Sequence, residues 1–144
     1  TFRDRRNGFE FATNPAGAKW DAQMSNEGRE SNANWDGIWD SAAKILPDGW
    51  TAEIAIPFST VRFVPKDAQV WGVNFQRHIR RKNESVMWAP IPKAYTLTKG
   101  SLAGELQGLS GISRGLDLRL KPFFVGGGRN LKASPTVRPG EPSL

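Results

Sequence analysis

The chain has 144 residues, no cysteine and a net charge of +6 from 20 Lys/Arg and 14 Asp/Glu. That excludes disulfides and thiolate metal centres, and no apolar run approaches the roughly 20 residues of a membrane helix. An apolar share of 38%, with 15 Gly, 10 Pro, six Trp and eight Phe, favours a turn-rich β protein in one domain plus a tail over a helical bundle.

In chain order, Asn7-Gly8 is a turn signal. Phe9 to Thr13 is a short strand with Phe9 and Phe11 on one side. Asn14-Pro15-Ala16-Gly17 turns the chain into a paired strand, Ala18 to Met24, with Trp20 and Ala22 facing one way. Ser25 to Asn34 reads as a polar loop, long for a plain connection and of a length often functional. The clearest hairpin follows: Ile38 to Leu46, the turn Pro47-Asp48-Gly49, and Trp50 to Ile56. The return strand sets Trp50, Ala52, Ile54 and Ile56 on a dry face, and Pro57 ends it. Ser59 to Phe63 suggests a helical turn. Val70 to Lys82 alternates as the longest strand, with Arg77 in line with Trp71, Val73, Phe75 and Ile79. Val86 to Ala89 returns from a turn at Asn83-Glu84-Ser85. Ser101 to Ile112 is spaced like a helix, but its glycines favour short strands. The texture changes after Ser113: Leu116 to Val125 alternates, then a Gly/Ser/Pro-rich end follows with nothing to build a core. The expected division is therefore 1–113, the β-sheet part, and 114–144, either a linker leading into further strands or a disordered tail.

Charge is uneven. Residues 1–72 carry eight Lys/Arg against ten Asp/Glu, a balance of −2, and residues 73–144 carry twelve against four, +8. A basic second half could meet nucleic acid, anionic lipid or acidic glycan, or be a solvated face. Phe75 to Lys82 interleaves aromatic and basic residues, yet no nucleic-acid-binding motif accompanies it. A hydrolase would need paired carboxylates. Asp36 and Asp40 on an extended strand lie about 13 Å apart at about 3.3 Å per residue, beyond the roughly 5 to 9.5 Å of glycosidase pairs; Glu53 is the other candidate. His78 has no triad context, and Asp36, Asp40 and Asp48 lack the spacing of a calcium loop. The expectation is no catalytic residue and no protein metal site.

Tryptophan points elsewhere. Indoles offer flat, weakly negative faces to the C–H side of a pyranose, while amides and carboxylates hold its hydroxyls. Asn34-Trp35-Asp36 joins these parts at the end of the polar loop, with Trp39 on the same side across Gly37. The expected site is Trp35 and Trp39 stacking a sugar, with Asn34 and Asp36 holding its hydroxyls. The competing reading makes both indoles core residues.

The segments NWDGIWDSAAKI, DGWTAEIAIPFSTVRF, WGVNFQRHIRRKNE and SLAGELQGL, with DRRNGFEF at the front, resemble the carbohydrate-binding module family 9-like domain at the N-terminal side of large bacterial outer-membrane barrel proteins. The resemblance spans about residues 1 to 113. It implies a jelly-roll-like antiparallel β-sandwich, here truncated at its N-terminal side, since the family domain begins earlier. It also implies non-catalytic binding of oligo- or polysaccharide in carbohydrate catabolism at the bacterial surface, without a resident cofactor beyond an allowance for calcium. LDLRLKPFFVGGG resembles the start of a covalently linked membrane β-barrel, which implies the outer membrane or periplasm. Two alternatives stand beside it: a domain that covers or gates the barrel without binding sugar, and a glycosidase using Asp36 or Glu53.

Overall fold

The computed structural model describes residues 5–113, and the expectations for 114–144 and for Thr1 to Asp4 lie outside them. The protein is all-β and sandwich-like. Among the described residues nine strands occur in chain order: β1 (Gly8–Thr13), β2 (Lys19–Ser25), β3 (Glu30–Asn32), β4 (Asp40–Leu46), β5 (Gly49–Ala55), β6 (Ala68–Val73), β7 (Gln76–Ile79), β8 (Glu84–Met87) and β9 (Gly104–Ser110). The only helical elements among the described residues are three short 3-10 turns. The sheets are β1-β2-β3, β4-β5, β6-β9 and β7-β8, and every pairing is antiparallel.

The turns form where their chemistry demands. Asn14 accepts the N–H of Ala16 and of Ala18 on its Oδ1, both at 3.0 Å. Gly17 then takes the left-handed φ of +79° that a side chain would resist. Pro47-Asp48 closes β4 onto β5, in a register that pairs Ile45 with Trp50, Ala43 with Ala52 and Ser41 with Ile54. These residues share a face, as period-2 alternation requires.

Three expected elements differ. Residues 25–34 are not a plain loop: Glu30–Asn32 pairs with Gln23–Ser25, after a turn in which Asn26, Glu27 and Gly28 all have positive φ. Polar side chains hide such a strand, because its ladder needs only backbone groups. Ser59 to Phe63 forms a turn rather than helix, with the Thr60 N–H on the Pro57 carbonyl at 2.9 Å. Val70 to Lys82 is not one strand. It breaks at Asn74–Phe75, and its halves pair with different partners, β6 with β9 and β7 with β8. Asn74 makes the break: its Oδ1 accepts the N–H of Phe75 (2.9 Å) and of Ala89 (2.8 Å), and its Nδ2 donates to the Ala89 carbonyl (3.0 Å). A side chain thereby takes over backbone partners that a ladder would have used.

The core is small. Ala22, Trp39, Val61 and Phe63 are its buried apolar residues among those described. Phe63 and Phe58 pack on Trp71 at centroid distances of 5.2 and 5.7 Å. Buried Gln69 donates to the Val64 carbonyl (2.9 Å) and accepts from Trp71 Nε1 (3.3 Å). The hairpin face expected to be dry is mostly open: Ala52, Ile54 and Ile56 are exposed, with Ile45 opposite Trp50 at 71%, and Trp50 is half-buried where Arg77 stacks on it.

Candidate functional site

Phe9 and Phe11 stand on one face of β1, beside Gln23 and Asp21 of β2 by register. Residues 35–39 lie outside any strand and pack Trp35 and Trp39 against that face. Trp35 lies 4.7 Å from Phe9 at 37° and edge-on to Phe11 at 5.9 Å. Trp39 lies edge-on to Phe11 at 5.3 Å. The two indoles therefore share one phenylalanine rather than facing each other across a slot.

Their environments differ. Trp39 is 3% exposed, its Nε1 donates to Asp21 Oδ2 at 2.6 Å, and the Lys19 ammonium sits 4.6 Å from its ring centre. Lys19 also donates to the Trp39 carbonyl. This corrects the expectation of two stacking indoles: Trp39 is a core residue with its polar edge satisfied, and it presents no face to a ligand. The reason is the apolar side of β1, which the chain covers with the nearest large ring. Trp35 remains half-buried. Gly37 fits beneath it, since a Cβ there would stand 2.7 Å from the Trp35 ring.

Asn34 and Asp36 are exposed. The Asn34 N–H donates to Asn32 Oδ1 at 3.1 Å and the Trp35 N–H to the Asn32 carbonyl at 3.3 Å. Those bonds tie the predicted residues to a feature the sequence reading missed, a groove of about 290 Å³ lined by Gln23, Ser25, Glu30, Ser31 and Asn32. It runs along the β2–β3 pair. The Ser25 hydroxyl donates to Glu30 Oε2 at 2.8 Å, which leaves the carboxylate acceptor capacity beyond that bond. The only advance signal was the length of the 25–34 connection.

Asp36, Asp40 and Glu53, the carboxylates considered for hydrolysis, are not among the residues that line this groove. Asp40, 97% exposed at its side chain, faces Lys19 at 3.9 Å, and Glu53 is an exposed residue of β5 opposite Ala42. His78 Nδ1 lies 2.8 Å from the Ser85 hydroxyl across β7–β8. No cluster of three or more His, Cys, Asp or Glu suited to a metal occurs among the described residues.

Two carboxyls are electrostatically set apart. Burial on the Ala22 side of β1 pushes the Glu10 carboxyl up from its ordinary value. Glu27 is held low, first by its hydrogen bond from Lys99 and then by one from Ser101. Lys99 also lies 5.0 Å from the Tyr95 ring centre, so this ion pair fixes the Asn26–Gly28 turn to the loop before β9.

Comparison with protein-family models, curated proteins and solved structures finds no match to this chain.

Proposed function

We propose that the protein is a non-catalytic carbohydrate-binding module that serves glycan handling at a bacterial surface, joined to a membrane β-barrel. The observation that carries this reading is the polar groove along β2–β3, whose Asn32 binds the backbone of Asn34 and Trp35. The groove offers two side-chain amides, two hydroxyls and a carboxylate, and the backbone N–H of Trp35, a half-buried indole backed by Phe9, bonds to the carbonyl of its Asn32. That is the complement a sugar needs: a flat apolar contact plus acceptors and donors for hydroxyls. In this reading Trp35 packs the ring, Asn34 and Asp36 border it, and Gln23, Glu30 and Asn32 hold hydroxyls. No helix of the described residues is long and apolar enough to cross a membrane, which says nothing about barrel strands.

Isothermal titration with a panel of neutral oligosaccharides tests the proposal. Binding should weaken about tenfold for Trp35→Ala, the scale of one lost stacking contact, and clearly for Glu30→Gln. An inert panel, or unchanged affinity in both variants, overturns it.

A scaffold that covers a barrel without binding sugar has its own supporting observation. Ile45 and Val64 are 71% exposed and Val70 is 60% exposed, more open apolar surface than an isolated soluble module favours. That reading expects no glycan response and association with the barrel when the two are co-expressed.

A further inference from the structure

A second aromatic pair stands where β7 begins and β8 ends. Phe75 is 63% and Trp88 60% exposed, and their rings meet edge to face at 6.1 Å and 76°. The pair is rigidly mounted. The Trp88 N–H donates to the Phe75 carbonyl at 2.9 Å, and the Asn74 amide binds the backbone on both sides, at Phe75 and at Ala89. The Trp88 indole lies on Gly104 of β9, so closely that any Cβ there would overlap the ring. One indole face is thus backed by glycine while the residue stays mostly open.

The rings stand at the foot of a basic hairpin. Between Gln76 and Met87 there are four Lys/Arg and one Glu. Arg77 is engaged: its guanidinium stacks 4.5 Å from the Trp50 ring centre and donates to the Trp50 carbonyl at 2.7 Å. Lys82 faces Glu84 at 3.9 Å. Arg80 and Arg81 form no ion pair among the described residues. They open the hairpin turn, which Asn83 closes with a φ of 50° and an N–H bond of 3.1 Å to the Arg80 carbonyl.

We infer that this hairpin binds an acidic polysaccharide, with one pyranose on Trp88 and carboxylates further along the polymer on Arg80 and Arg81. The assignment rests on the glycan reading above but concerns a different surface and a charged ligand. About five residues at about 3.3 Å each separate Phe75 from the turn, on the order of 16 Å, so the occupant is a chain rather than a single sugar. Charge complementarity selects an anion, and the planar guanidinium suits a carboxylate. Single-stranded nucleic acid uses successive stacking surfaces, whereas here one open indole stands beside an edge-on phenylalanine. A membrane surface would favour rings level with the basic residues, and here the rings lie at the opposite end from the Arg-Arg-Lys turn.

The experiment is isothermal titration of the 144-residue chain with polygalacturonate and with the same polymer methyl-esterified. The acidic form should bind and the esterified form should bind at least fivefold more weakly. Arg80→Gln with Arg81→Gln should weaken polygalacturonate binding about fivefold, the scale of two exposed charge contacts, and Trp88→Ala about tenfold. Arg62→Gln with Lys66→Gln, which removes two charges elsewhere, should change it less than twofold. Equal losses in the two double variants would reduce the effect to net charge and overturn the assignment. So would an unchanged Trp88→Ala, or tighter binding of oligo-dT or phosphatidylglycerol vesicles at the same salt. Because Trp88 and the arginines are exposed, circular dichroism should show folded variants; should Trp88→Ala unfold, the arginine pair still decides. Trp35→Ala is titrated in parallel with neutral sugar, so failure of the groove and failure of the hairpin are read separately.

Discussion

Asp21 illustrates how one side chain decides whether an indole is core or ligand surface. Its Oδ2 accepts from Trp39 Nε1 at 2.6 Å, and its Oδ1 receives the Gly37 N–H at 3.4 Å. Removing it strands a buried donor, which costs about 1 to 3 kcal/mol. Asp21→Ala should therefore lower the unfolding free energy measured in urea by an amount in that range, and Asp21→Asn, which keeps an acceptor, by less. Glu27 gives a pH signature. Its folded value is lowered from 4.5, so its contribution is fully present above the unfolded value and disappears as pH falls through the lower folded one. Glu10 acts oppositely. Its raised folded value means that ionisation, as pH rises through and above 4.5, works against the fold. Thermal melts between pH 3 and 7 should show Glu27→Gln losing stability near neutrality but not at the acid end. Glu10→Gln should gain it near neutrality. A Glu27→Gln curve parallel to the parent's throughout would contradict the first assignment. None of this was visible in the sequence, because Asp21 meets Trp39, and Glu27 meets Lys99, only through folding.

At the scale of elements, alternation located most strands. The Trp50, Ala52, Ile54 face is the one the register produces, and the pairing of β1 with β2 follows the Asn-Pro-Ala-Gly turn. Alternation failed at Asn74, where the apolar period runs on unbroken across a break in pairing. Period reports which face a residue would take, not which strand it joins. The amide clasp is predicted to hold the two halves apart. Asn74→Ala removes three side-chain bonds and should cost about 1 to 3 kcal/mol in chemical denaturation. Hydrogen exchange should accelerate at the amides of Phe75 and Ala89 while those of β4 and β5 keep their protection. β3 was missed for the opposite reason: Glu30-Ser31-Asn32 carries no apolar signal at all, yet it forms one wall of the candidate groove.

Across the whole molecule, open apolar surface is the dominant physical fact. Fifteen large hydrophobic residues among those described are exposed, Ile45, Val64, Val70, Phe75 and Trp88 foremost. Surface of this kind marks interaction sites or association. The chain should bind a hydrophobic dye and self-associate as concentration rises in sedimentation velocity. Ile45→Lys with Ile54→Lys should suppress both, with a melting shift of only a few degrees, as substitutions at exposed positions cost about 0.5 kcal/mol or less each. The sequence by itself determined the all-β class, the hairpin and which of its side chains share a face, and the placing of an indole beside polar groups at the end of a long connection. These follow from local chemistry: turn residues, β-branched and aromatic alternation, and the conformational needs of Pro and Gly. Only the tertiary structure decided that Trp39 is sealed while Trp35 and Trp88 are not. Burial depends on what crosses over a residue from elsewhere in the chain. For Trp39 that is Phe11, Asp21 and Lys19, a set no spacing within residues 34 to 40 could announce.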